Sequence, residues 1–101
     1  MARIAEVTMP KLGMTMTEGK VAEWHVKAGD TVAEGDEILD IETEKITNAC
    51  ESPAAGVFRR RVAHEGDTVP VGALIGVIAD SDTPESEIDT FIAAFRENGG
   101  S

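Results

Sequence analysis

Asp40-Ile41-Glu42-Thr43-Glu44-Lys45-Ile46-Thr47-Asn48-Ala49-Cys50-Glu51 places one lysine between two strand-like runs. Ile38, Leu39 and Ile41 lead in, Thr43 is a good strand former, and Ile46, Thr47 and Ala49 lead out. β-Branched and apolar residues at this spacing predict a β-hairpin with Lys45 at its tip and Glu44-Lys45 as a two-residue turn. That pair lacks the Asn-Gly or Asp-Gly signal of an easy hairpin turn, so the reading needs support from elsewhere in the chain.

An internal repeat supplies it. The constant offset that carries Gly19 onto Gly56 also carries Gly29-Asp30-Thr31-Val32 onto Gly66-Asp67-Thr68-Val69, Gly35 onto Gly72, Ile38 onto Ile75 and Ile41 onto Ile78. Two copies are fewer than the three or so that a stacked solenoid needs, so two half-domains joined near Lys45 and closing on each other are expected. Strands are predicted over Ile4 to Met9, Gly19 to Val26, around Val32, either side of Lys45, and at the repeat equivalents in the second half. Gly29-Asp30 and Gly35-Asp36 are the turn signals. About eight short strands result, with Val21, Trp24 and Val26 as packing residues of the second. The predicted fold is all-β: a flattened barrel or sandwich of two four-stranded antiparallel sheets related by a pseudo-twofold. If Lys45 caps one end, the first and last strands meet at the other.

Met9-Pro10-Lys11-Leu12-Gly13, Thr17-Glu18-Gly19, Val26-Lys27-Ala28-Gly29-Asp30, Glu42-Thr43-Glu44-Lys45 and Ser52-Pro53-Ala54-Ala55-Gly56 run in order through the chain. Together they resemble the successive signatures of a lipoyl domain, from about residue 4 to about residue 80. The resemblance implies that Lys45 is the attachment site of covalent lipoic acid. The family's usual tip reads Asp-Lys-Ala; Glu44 keeps the charge here and Ile46 keeps the strand. It further implies a swinging-arm carrier that takes an acyl group from a thiamin-diphosphate E1 enzyme. The arm would deliver that group to coenzyme A at an E2 acyltransferase site and be reoxidised by E3, a flavin dihydrolipoyl dehydrogenase. A lipoate ligase or lipoyl transferase would install the group.

Around the tip, Glu42, Thr43, Glu44 and Ile46 are candidates for recognition by the ligase and the thiamin enzyme, or ordinary solvated strand residues. Lys11 to Glu18 reads as a loop, and in lipoyl domains such a loop lies beside the modified lysine. Leu12, Met14 and Met16 are therefore candidates for partner contact, or they merely cover the edge of the core.

Nineteen acidic residues against nine Lys and Arg argue against nucleic-acid binding, which relies on clustered cations. One cysteine cannot form an internal disulfide, and the chain has no apolar run of signal-peptide or transmembrane length. A cytoplasmic setting, or an organelle matrix, is the expectation. His25 and His64 have no nucleophile or carboxylate at motif spacing and read as structural or surface residues. Cys50 reads as a small packing residue, and no metal or catalytic constellation is present. In Arg59-Arg60-Arg61, strand alternation puts Arg59 and Arg61 on one solvated face.

The tail differs in kind. Thr83-Pro84-Glu85 has the form of an N-cap, a proline at the first helical position and an acid in the first turn. Ile88, Phe91, Ile92 and Phe95 recur at helix spacing, and Asn98-Gly99-Gly100 would stop the run. The expected organisation is a lipoyl domain over 1–80, then a linker and short amphipathic helix over 81–101 leading toward a downstream domain. The helix's apolar face must pack on the barrel, another domain or a second chain. The tail and Pro70-Val71-Gly72-Ala73-Leu74 resemble the E2 subunits of acetoin dehydrogenase complexes, and the ending Gly99-Gly100-Ser101 suggests a fragment of such a protein. Two rival readings remain. One is a biotinyl carrier domain, which shares the fold but typically sets its lysine between two methionines; the other is an unmodified sandwich serving as an interaction module.

Overall fold

The computed structural model describes residues 4–97; the helix stop expected at Asn98-Gly99-Gly100 lies outside them. Eight strands and one helix follow in order: β1 (Ile4–Thr8), β2 (Glu18–Trp24), β3 (Thr31–Val32), β4 (Glu37–Glu42), β5 (Thr47–Glu51), β6 (Gly56–Arg61), β7 (Thr68–Pro70), β8 (Leu74–Ala79) and α1 (Glu85–Glu97). One four-stranded sheet has the order β1-β8-β6-β3 and the other β5-β4-β2-β7. Every pairing is antiparallel. This is the predicted two-sheet fold with its pseudo-twofold.

The halves close by exchange. β3 leaves the first half and pairs with β6 of the second, while β7 pairs with β2. The hydrogen bonds repeat with the sequence: Gly29 N–H donates to the Phe58 carbonyl at 2.8 Å, and Gly66 N–H donates to the Val21 carbonyl at 2.8 Å. The turns repeat too. Asp30 accepts from the Lys27 amide at 3.0 Å and Asp67 from the His64 amide at 2.9 Å. Gly29 and Gly66 take φ of 103° and 95°, a left-handed conformation that glycine adopts without the steric cost of a Cβ.

Val21, Ile38, Leu39, Ile41, Phe58, Ile75 and Ile78 form the core between the sheets. Trp24 packs its ring 5.1 Å from Phe58, and its indole N–H donates to the Ala63 carbonyl at 3.0 Å, so its polar atom is satisfied inside. Cys50 is half-buried against this core, and burial pushes its thiol pKa up.

α1 resolves the three-way choice for its apolar face: it packs on the barrel. Ile88 is fully buried, and with Phe91, Ile92 and Phe95 it covers Ile4, Val62, Leu74 and Val77. β8 is therefore buried on both faces along its whole length. That explains its unbroken apolar run Leu74-Ile75-Gly76-Val77-Ile78-Ala79, beside the more alternating β4.

Three local expectations need correction. Thr83 is buried, but its hydroxyl finds no partner among the described residues, so it does not cap the helix. The Pro84 carbonyl accepts the first turn's bonds from Glu87 and Ile88 instead. Arg59 and Arg61 do not share a solvated face, because the register shifts between Phe58 and Arg60. That bulge lets Arg59 and Arg60 both reach Glu85 of α1, at 2.8 and 2.6 Å, and Arg60 also holds Asp89 at 2.8 Å. Arg61 instead lies 5.8 Å over the Trp24 ring and donates to the Val26 carbonyl. Lastly, His25 does have a carboxylate: its Nε2 stands 3.0 Å from Asp40 Oδ1, a pairing between strands that sequence spacing could not display.

Candidate functional site

The β4–β5 hairpin pairs Glu42 with Thr47 and turns through Thr43-Glu44-Lys45-Ile46. The Thr43 amide donates to the Ile46 carbonyl at 2.8 Å, closing a turn whose two central residues are Glu44 and Lys45, as predicted. No non-glycine residue has positive φ among the described residues, so this turn avoids the left-handed conformations that favour Asn-Gly. The Thr43 side chain compensates. Its Oγ1 accepts from the Ile46 amide at 3.3 Å and donates to the Ile46 carbonyl at 3.2 Å. A local hydroxyl thus takes over bonding that the turn backbone leaves open.

This closure fixes where Lys45 sits. Its side chain is exposed and takes part in none of the ion pairs found among the described residues. Glu42, Glu44 and Ile46 are exposed beside it, Ile46 at 48% despite being a large apolar residue. The amine is therefore carried on a paired β-scaffold while its four-carbon stem stays unpacked.

A groove of about 650 Å³ runs between the tip and the loop after β1. Leu12 and Met16 line its loop side, Lys20 the β2 side, and Glu42, Lys45 and Ile46 the hairpin side. Gly19 explains how closely the loop approaches: a Cβ there would lie 2.7 Å from Met9 Sδ and 2.8 Å from Met16 Cε. The Leu12 amide donates to Met16 Sδ at 3.1 Å, tightening the loop over this floor.

The three apolar loop candidates consequently divide. Leu12 and Met16 are half-buried against the core and also line the groove, so for them edge-covering and contact are not exclusive. Met14 is 94% exposed and covers nothing. Lys20 was not among the sequence candidates, although its pairing with Glu42 across β2 and β4 brings it to the groove. Alternation along β2 was the available signal, since Glu18 and Lys20 are exposed where Gly19 and Val21 are buried.

The site holds no nucleophile paired with a base, and no group of three or more possible metal ligands occurs among the described residues. What the geometry can do is present one primary amine, at the tip of a rigid hairpin, to other molecules. Open space lies beside that amine, and among the described residues Lys45 takes part in no ion pair.

Comparisons with known proteins agree with this geometry. The profile of the biotin–lipoyl family, described as "Biotin-requiring enzyme", matches residues 5–78. The dihydrolipoyllysine-residue acetyltransferase component of the acetoin cleaving system of Pseudomonas putida is 47% identical over 96 residues, covering 95% of this chain and 26% of that protein. Its counterpart from Cupriavidus necator is 47% identical over 93 residues, covering 92% and 25%. The chain thus spans about a quarter of the length of these curated relatives. The solution structure of the lipoyl domain of the Azotobacter vinelandii 2-oxoglutarate dehydrogenase complex superposes with a TM-score of 0.60 at 37% identity, over 72% of this chain and 92% of that one. By sequence and by fold, the chain belongs to the biotin–lipoyl family and is a lipoyl domain, the kind that carries lipoic acid covalently on a lysine.

Proposed function

We propose that Lys45 is the lysine that carries the lipoyl group. The observation that supports this most is its position: an exposed amine at the centre of a turn closed by Thr43 and Ile46. A ligase must bring an activated carboxyl to Nζ, where the amide forms as the activating group leaves the acyl carbon and the amine loses a proton, and a tip residue lets it do so without opening the fold. Glu42, Glu44, Ile46, Leu12, Met14 and Met16 form the recognition surface around it, with Thr43 holding the turn. The dithiolane of a lipoyl group supplies an acyl acceptor and a two-electron redox couple. The chain's own contribution is to hold that arm away from the barrel, so that it can enter the sites of other enzymes.

The parent protein, on this reading, is the dihydrolipoyllysine-residue acetyltransferase of an acetoin-cleaving complex. Its lipoyl arm would serve a thiamin-diphosphate E1, the acyltransferase domain of E2 and the flavin E3, and a lipoate ligase or lipoyl transferase would load it. Residues 1–80 form the carrier and residues 81–101 lead toward a further domain. No helix among the described residues is long and apolar enough to cross a membrane. A single cysteine suits a reducing cytoplasm.

The biotinyl alternative is disfavoured by the tip, where Glu44 and Ile46 stand in place of the flanking methionines of that reading. Treating the wild type and Lys45→Arg with lipoate ligase, ATP and lipoate tests the assignment. One lipoyl group per wild-type chain and none on Lys45→Arg is expected; equal labelling of both overturns it.

A further inference from the structure

The large apolar side chains left exposed on this molecule are gathered at one end. Among the described residues they are Met14, at 94%, and Ile46, at 48%, in the loop and the hairpin that flank the groove at Lys45. We infer that this groove is a resting berth for the molecule's own arm. Leu12 and Met16 on the loop side, and Ile46 on the hairpin side, receive the hydrocarbon chain and ring of the group attached at Lys45. The inference rests on the lipoyl assignment made above and adds a second, non-covalent site to it.

Size, wall chemistry and tethering carry the inference. The groove's volume of about 650 Å³ falls within the roughly 300 to 1,000 Å³ of small-molecule sites. A run of methylenes ending in a disulfide ring is apolar, and these three side chains offer it aliphatic carbon and a polarisable sulfur. The loop wall is already formed. The Leu12 amide holds Met16 Sδ at 3.1 Å, and Met16 Cε packs over Gly19, where a Cβ would stand 2.8 Å away. Receiving the arm therefore costs little ordering of the protein.

Lys45 itself lines the groove, so its arm is tethered at the mouth. A short flexible tether gives an effective concentration on the order of millimolar, enough to populate even a weak contact. A contact that weak also yields to the deeper site of a partner enzyme, as a carrier requires. Met14 does not line the groove, which leaves it free for contact with other proteins.

Methyl NMR of the full 101-residue chain, unloaded and carrying one lipoyl group, tests this, with the loaded lysine located by mass analysis. Nuclear Overhauser contacts should join the arm's methylene protons to the methyls of Leu12, Met16 and Ile46, and should be missing for Met14. Acetyllysine incorporated at position 45 removes the charge without supplying the arm, and should leave the Leu12 and Met16 signals at their unloaded positions. Ile46 is half-exposed in a turn, so Ile46→Ala should keep the Trp24 signals of the folded core. In that variant, compared as the fully loaded species, the reduced arm should react with iodoacetamide about two- to threefold faster than in the wild type. A chain loaded at Lys45 that shows no such contacts, or an alkylation rate unmoved by Ile46→Ala, overturns the berth alone. Loading at a different lysine overturns the lipoyl assignment of Lys45 and the berth with it.

Discussion

Two patches related by the duplication have taken opposite characters. On one sheet Val62, Leu74 and Val77 lie under α1 together with Ile4; on the other their repeat equivalents His25, Glu37 and Asp40, with Thr47 in the strand position of Ile4, form a polar surface, His25 Nε2 and Asp40 Oδ1 standing 3.0 Å apart. Between the sheets the halves stay alike, with Ile38 matched by Ile75, Ile41 by Ile78 and the Gly29 and Gly66 turns bond for bond. The interior and the turns must satisfy the same packing and backbone requirements in both halves. An outer face is constrained only by what covers it, and there the copies have diverged.

Swapping residues between the faces should break this symmetry most severely. Val77→Asp installs the residue of the matching position under α1, where its cross-strand neighbour Arg60 is already engaged by Glu85 and Asp89. It should cost about 3 kcal/mol or more, read as a lower midpoint in urea. The reciprocal Asp40→Val removes a partly exposed pair and should change stability by less than about 1 kcal/mol. Equal losses from the two changes contradict the contrast between the faces.

The turns should instead behave alike. Gly29→Ala and Gly66→Ala each force an alanine into left-handed φ, and in neither case would the Cβ meet anything within 4 Å. Each should therefore cost about 1 to 2 kcal/mol, the two values agreeing closely. A large difference between them indicates that the halves are not equivalent where the structure makes them so.

At the tip the expected loss is smaller. Thr43→Val keeps the shape but removes the hydroxyl, so about 1 kcal/mol of stability should disappear, with faster exchange at the Ile46 amide. Thr43→Ser should retain most of both.

The smallest effect is in pH, and its sign differs between the faces. Asp40 raises the His25 pKa above its ordinary 6.5, through their hydrogen bond. That contribution is complete below the unfolded value and is lost as pH rises through the folded one. Arg60 and then Arg59 hold the Glu85 carboxyl below its ordinary 4.5, so the helix clamp contributes above that pH and is lost as pH falls through the depressed value. Thermal melts of Asp40→Asn and Glu85→Gln should show these opposite trends, the first variant differing from wild type below about pH 6.5 and the second above about pH 4.5.

Much of this was legible in the sequence, for physical reasons. The repeat revealed the strand number and the two-sheet closure because each copied glycine and isoleucine answers to a backbone or core requirement, whereas the exchange of β3 and β7 between the sheets was not visible in it. The hairpin could be located, but its closure by Thr43 could not be told from an ordinary strand threonine without the distances. The helix was visible from its period, whereas its docking site was not, because that site is assembled from β1, β6 and β8. The fates of Arg59 and Arg61 turned on one bulge, and a single shift of register moves side chains between faces. The Thr83 cap could not be judged from residue type alone, since its hydroxyl is buried and meets no partner among the described residues.

Site-resolved mass analysis reads directly whether Lys45 is the carrier residue. The chain should be produced in cells supplied with both lipoate and biotin, then fragmented around every lysine. A lipoyl adduct on Lys45, with Lys11, Lys20 and Lys27 unmodified, is the predicted result. A lipoyl adduct on another lysine, or biotin on Lys45, contradicts it.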